Sequence, residues 1–459
     1  MMRLILTCFL WAAVAVSSPA ALALDSRAYI ERAVELIESG EHELARAYLE
    51  PALIDFRLNA GERSRAYYLR GYSYFGQGLY VSASKDYNRA LEFYPGNPAV
   101  LSALAQMHLE GLGVEHDPAL GVAFLEQAAQ ADHPPASLRL GVAYLRGMGV
   151  EQDVEAARQW LIEAAEAGLS PAMLYLGQSY REPFADPPDP ELAAEWFRKA
   201  EEAGEPDALA HLGFMAEEGE GGEPDPEAAR AYFRRAADAG SAVGQAKIAH
   251  MYLTGDGVEA DPARALDLFR GAADQGHPTG YMGLAYIYDS GTAVERDPDQ
   301  ALRWYQRAAE AGVPEAQLRL AYLGMARGDL PGQQQAGKWL AEAAAQNNVQ
   351  ALNDYAWLLS TSRFPEVRNG QQAVTLALQA VNHHRTPAYL DTLAAAYAET
   401  GKFDRAVEVQ REALAIADEA DIALVAELTS HLQAFEAGRP WREPGDSGTR
   451  TATPKNVSH

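Results

Sequence analysis

The sequence predicts an all-α chain: a solenoid of about ten to eleven antiparallel helix hairpins, with no β-sheet. Three observations carry this: a 36-residue self-similarity running through six blocks, an aspartate at the same place in every block, and glycines closing the helices. A period of that length marks stacked supersecondary units, none of which buries enough apolar surface to fold alone.

The blocks are 99–134, 135–170, 171–206, 207–242, 243–278 and 279–314. Counting positions from the start of each block, position six is aliphatic (Leu104, Leu140, Leu176, Leu212, Ile248, Leu284) and position seven is small (Ala105, Gly141, Gly177, Gly213, Ala249, Ala285). Position ten is mostly tyrosine (Tyr144, Tyr180, Tyr252, Tyr288). Spacings of three and four put these on one helical stripe, and the small residue admits a close neighbour. A loop with Gly111/Gly113, Gly147/Gly149, Gly219/Gly221 and Gly255/Gly257 follows. Position nineteen is Asp117, Asp153, Asp189, Asp225, Asp261 and Asp297, followed by proline in five of the six blocks. Aspartate accepts from the free N–H groups of a helix start, and proline suits the first helical position. The second helix has a bulky residue at position 26 (Phe124, Trp160, Trp196, Tyr232, Leu268, Trp304), expected in the core, and then an Ala-Ala pair in five blocks. Gly168, Gly204, Gly240, Gly276 and Gly312 end it.

These residues resemble the Sel-one-like repeat (SLR) family, and the flanks resemble the tetratricopeptide (TPR) repeat. Tyr67, Gly71, Tyr74, Ala83, Tyr87, Ala90 and Pro95 fall at TPR spacing in 64–97, as do Leu393, Ala394, Tyr397, Ala406 and Ala413 in 387–420. The resemblance implies a right-handed superhelix that binds a protein partner in its concave groove. The organisation read from it is an N-terminal TPR-like region over 24–97, six SLR repeats over 98–314, and a degenerate repeat over 315–349 that loses the Asp-Pro cap. TPR-like repeats and a closing helix follow over 350–436, with a longer loop at Ser360–Gln371. Residues 437–459, rich in Pro, Gly, Ser and charge, are expected to be disordered.

Residues 1–23 read as a cleavable export signal: Arg3, the apolar run Leu4–Val16, and Ala21-Leu22-Ala23 before Leu24. The run falls short of the roughly 20 residues a spanning helix needs. The expected location is periplasmic or secreted. Cys8 is the only cysteine and lies inside that run, so the mature chain draws no disulfide from an oxidising compartment. With 38 Lys+Arg against 64 Asp+Glu, formally −26, the surface repels nucleic acid and anionic headgroups, and neither is an expected partner.

Candidate chemistry is sparse, and no catalytic residue, metal site or cofactor is expected. The histidines show no zinc-protease spacing, and His383-His384 are neighbours rather than converging ligands. Ser82-Ala83-Ser84-Lys85 has the S-x-x-K spacing of penicillin-recognising enzymes but no K-T-G downstream, and Ala83 is a packing position. The acidic loops Arg181–Pro190 and Glu217–Pro226 lack the spacing of a dedicated calcium loop.

What remains is a surface. Positions five, eight and twelve of the first helix are expected opposite the core stripe, lining the groove with Tyr175, Gln178, Glu182, His211, Phe214, Glu218, Lys247, His250 and Tyr286. The resemblance implies a non-catalytic protein-interaction scaffold in envelope assembly, secretion or polysaccharide machinery. The alternative is a cell-wall-acting enzyme or glycan-binding module. Relatives linked to penicillin-type ligands carry paired cysteines, which this chain does not.

Overall fold

The computed structural model describes residues 26–443 except Glu182, Asp186 and Glu419; residues 1–25, with the stretch expected to be an export signal, and residues 444–459, most of the expected tail, lie outside the described residues. Among the described residues the fold is entirely helical, and none of its helices is long and apolar enough to cross a membrane. The chain divides into two compact units at Ala229/Arg230.

The first unit contains α1 (Ser26–Glu38), α2 (His42–Leu53), α3 (Ala60–Gly76), α4 (Tyr80–Phe93), α5 (Pro98–Glu110) and α6 (Pro118–Ala129). It continues with α7 (Pro134–Arg146), α8 (Val154–Glu166), α9 (Ser170–Ser179), α10 (Pro190–Glu202) and α11 (Pro206–Glu218). The boundary falls inside α12 (Pro226–Asp238). The second unit contains α13 (Ala242–Thr254), α14 (Pro262–Asp274), α15 (Pro278–Ser290), α16 (Pro298–Glu310), α17 (Pro314–Ala326) and α18 (Leu330–Ala345). It ends with α19 (Val349–Thr361), α20 (Gly370–His383), α21 (Pro387–Glu399), α22 (Phe403–Ile416) and α23 (Ile422–Glu436). Within each unit consecutive helices pair antiparallel and pack on the next pair.

Two hydrogen bonds at each position-nineteen aspartate explain why the repeat keeps its length. The side chain caps the second helix: Asp117 accepts from Leu120 N at 3.0 Å, Asp153 from Ala156 N at 2.9 Å, Asp261 from Arg264 N at 3.0 Å and Asp297 from Gln300 N at 2.9 Å. The backbone N–H of the same residue reaches back to the position-ten carbonyl, at 3.0 Å for Asp117 to His108 and 2.8 Å for Asp261 to Tyr252. One residue thus starts a helix and closes the loop before it. Replacing Asp261 with alanine removes only the cap, and is expected to destabilise by about 0.5–2 kcal/mol. Thermal melts should separate it from Glu259→Ala in the exposed loop; equal melts would show that Asp261 does not cap.

The seventh unit, read as having lost its cap, retains it. Asp329 accepts from Gly332 N at 2.7 Å, with Pro331 moved one place along by the intervening Leu330. In the eighth, α19 and α20 extend into the stretch expected as a loop, leaving 362–369, and Asn369 takes over the capping role by accepting from Gln372 N at 3.2 Å.

The second loop glycines are doubly required. Gly113 and Gly149 have φ of 68° and 76°, and a Cβ on Gly149 would lie 2.3 Å from the Pro118 carbonyl at the start of the previous second helix. Any side chain there meets both strain and a backbone clash.

Two expectations are corrected. The position-26 residues are only half-buried, whereas position 27 is sealed in the core: Leu125, Leu161, Phe197, Phe233 and Phe269. Residues one apart on a helix point about 100° apart, and it is position 27 that aims at the paired first helix. A Cβ on Gly177 would fall 2.4 Å from the Phe197 ring, and one on Gly141 would fall 2.6 Å from Leu161. The composition-based tail also begins too early, because residues 441–443 pack on the second unit. Trp441 lies 4.3 Å from the His431 ring, Arg442 pairs with Glu399, and the Glu443 carboxylate accepts from Trp357 Nε1 at 2.7 Å.

Candidate binding surface

Position five is not opposite the core, as the sequence suggested, but packs against the second helix of the preceding hairpin. In the first unit His211 lies face to face on Phe197, with ring centroids 4.9 Å apart and planes within 6°. In the second unit the Lys247 ammonium sits 5.4 Å over the Phe233 ring, and Gly283 is pressed against Phe269, where a Cβ would meet the ring at 2.3 Å. The position-27 rings are wide enough to reach past the small residue at position seven and underlie position five as well.

In the first unit the predicted residues form a connected polar cluster across α9 and α11. An amide N–H of Gln178 donates to His211 Nε2 across 2.9 Å, which places the ring proton on Nδ1. Phe214 is half-buried, tilted onto His211 at 6.3 Å, and Tyr175 lies under the Arg146 guanidinium at 5.7 Å. Burial, helped by the Arg181 charge, pushes the His211 imidazole down to about 4, so the ring is neutral at physiological pH. Arg181 holds two carboxylates, Glu220 at 2.6 Å and Glu218 at 3.2 Å. The arginine takes Glu220 below its ordinary range, and the Glu220 carboxylate beside Glu218 raises the latter. These loop carboxylates therefore face an arginine. Glu182 lies outside the described residues.

In the second unit position eight is the wet row. His250 is exposed, and Tyr286 is 53% exposed on α15. The sequence reading stopped one repeat short of the residues that extend this row. Position five of the next repeat is Arg319, which reaches Asp289 at 2.8 Å, and position eight is Tyr322, whose hydroxyl donates to Asp354 on α19 at 2.6 Å. Burial, with Asp354 close by, holds the Tyr322 hydroxyl well above the usual phenol range. Both residues follow the 36-residue register, which the seventh unit keeps despite its displaced proline.

The other motifs do not converge. Ala83 is fully buried in α4 while Lys85 is exposed, which places the S-x-x-K run on an ordinary amphipathic helix. His383 and His384 are both exposed at the end of α20.

The Sel1 repeat profile matches seven consecutive segments: 98–133, 134–169, 170–205, 206–241, 242–277, 278–313 and 314–348. The chain belongs to the Sel1 repeat family. Tetratricopeptide repeats match 64–97 and 388–419. The Sel1 register begins one residue before the blocks drawn from the sequence and takes in the seventh unit as a full member. Sel1 and tetratricopeptide repeats build protein–protein interaction scaffolds, and such families are generally non-catalytic.

Solved structures with similar folds include c5321, a protective antigen of uropathogenic Escherichia coli with an SLR fold. It is 26% identical, with 89% of this chain and 83% of that one covered at a TM-score of 0.44. A Sel1 repeat protein from Oxalobacter formigenes is 29% identical over 52% of this chain and 98% of its own, at a TM-score of 0.43. Yeast Tom70 is 15% identical over 90% of this chain and 96% of its own, at 0.33. No curated protein matches the sequence.

Proposed function

We propose that this Sel1 repeat chain is an exported, non-catalytic scaffold that holds a protein partner in the groove of its solenoid, within envelope assembly, secretion or polysaccharide machinery. The observation that carries the reading is the position-eight row of the second unit, where Tyr286 stands 53% exposed beside position-eight His250 of the preceding repeat. Aromatic side chains held on a rigid helix are efficient anchors, because little conformational freedom is lost when they dock. The acidic surface opposes nucleic acid, and export rests on Arg3, the Leu4–Val16 run and Ala21-Leu22-Ala23.

The test is capture from envelope extracts on the tagged chain, comparing the native protein with His250→Ala/Tyr286→Ala. The double variant should retain its melting temperature and capture the partner about tenfold more weakly or worse. Undiminished capture would move the binding site off this row. The recovered bait should begin near Leu24; an intact Met1 end would sink the export reading. Enrichment of cell-wall fragments in place of a protein would favour the glycan-binding alternative.

A further inference from the structure

Three helices at the end of the second unit bring four polar side chains together beneath the surface. Asp391 comes from α21, Gln410 from α22, and Glu427 and His431 from successive turns of α23. Asp391 and His431 are 3% and 1% exposed and Gln410 is fully buried, with Glu427 half-buried at the rim. One ligand-capable atom from each of Asp391, Glu427 and His431 lies within 4.8 Å of the other two. His431 Nδ1 and Asp391 Oδ1 are 2.7 Å apart.

The Gln410 amide supplies the independent clue. Its Nε2 donates both to Asp391 Oδ1 at 2.7 Å and to the Leu428 carbonyl at 3.0 Å, which fixes the amide's orientation. Its Oε1, on the same amide, is buried and has no hydrogen-bond partner among the described residues. Native proteins rarely leave such an acceptor orphaned.

We propose that Asp391, Glu427 and His431 form a binding site for one divalent transition-metal ion, with zinc the best match to an imidazole and two carboxylates. Gln410 supplies a further oxygen at its edge. Zinc bonds of about 2.0–2.2 Å set tetrahedral ligand separations near 3.4 Å, so His431 and Asp391 need to part by only about 0.7 Å, and the half-buried Glu427 closes from the rim. The ion takes the place of the hydrogen between Nδ1 and Oδ1, and the neutral imidazole that binds it through Nδ1 carries its proton on Nε2. Bound there, it ties the closing helix α23 to α21 beneath Trp441, so its role is to fasten the C-terminal end of the solenoid.

The full chain, stripped with chelator and titrated with zinc chloride, is expected to bind one zinc at this site and to melt at a higher temperature once loaded. Glu427→Gln and His431→Ala should each weaken uptake about tenfold or more and abolish the zinc-dependent shift in melting. His384→Ala, on the exposed end of α20, should leave both unchanged. The near-isosteric change at the half-buried Glu427 preserves the fold, so the test stands even where loss of the buried imidazole loosens α23. No zinc uptake by the native chain, or uptake that survives both Glu427→Gln and His431→Ala, overturns the proposal.

Discussion

Truncating Phe269 to alanine is expected to cost about 3–5 kcal/mol, the usual range for emptying a fully buried aromatic site. Phe269 is 1% exposed, and its ring is packed against a bare glycine: a Cβ on Gly283 would fall 2.3 Å from it. The first helix of the next hairpin, α15, has come as close as backbone allows, so it cannot move in further to fill the hole. Trp304, larger but half-buried, is expected to cost less by at least about 1 kcal/mol. It stacks on Tyr281 at 5.9 Å beneath Arg307, a surface aromatic pair worth about 0.5–1.5 kcal/mol beyond its burial. In a repeat array the loss stays with the nearest neighbours. The measurement is therefore hydrogen exchange in peptides from α14 and α15 for Phe269→Ala, and from α15 and α16 for Trp304→Ala. Equal or reversed losses would mean that position 26, not 27, seals the core.

That pair of positions shows what the sequence made legible. Caps and turn glycines are local signals, each read from residues within about one helical turn, and their recurrence gives the period; the structure places every cap aspartate where its spacing demands. Facing was less legible. Phe124-Leu125, Trp160-Leu161, Trp196-Phe197, Tyr232-Phe233, Leu268-Phe269 and Trp304-Tyr305 are all bulky at both places, so periodicity alone cannot choose between them. Bulk pointed to the tryptophans, yet tryptophan is seldom sealed completely, and at Trp160-Leu161 and Trp196-Phe197 the smaller neighbour took the interior. The same shift carries into the surface, because an inward position 27 brings position five against its ring. Asp391, Gln410 and His431 were beyond reach of the sequence for another reason. They lie on three different helices, and nothing in their spacing announces that the hairpin and the closing helix bring them together.

The buried imidazole of the first unit yields the second large effect, a loss of stability on acidification. An unfolded histidine takes up its proton near pH 6.5, whereas His211 in the fold does so only at about 4. Between those values the unfolded chain binds more protons than the folded one, so lowering the pH through this window favours unfolding. The loss begins as pH falls below about 6.5 and is complete near 4, amounting to about 3 kcal/mol in the α9–α11 region. The cause is burial against Phe197, with the Arg181 guanidinium adding to it; Asp207 and Glu220 offset part of both. His211→Gln removes the titration while retaining a polar group opposite Gln178. Carboxylates such as Glu205 and Glu218 titrate in both proteins, so the difference between them isolates the imidazole. Hydrogen exchange in α9–α11 at pH 7 and pH 4.5 should show the native chain losing more protection than His211→Gln on acidification. Equal losses would mean that His211 accepts its proton in the folded state at an ordinary pH, and the ring would then be open to water. A neutral His211 also fixes what this face can offer at physiological pH. Between Gln178 and Phe214 it presents an uncharged ring, and the Arg181 guanidinium whose charge acts on it is engaged by Glu218 and Glu220.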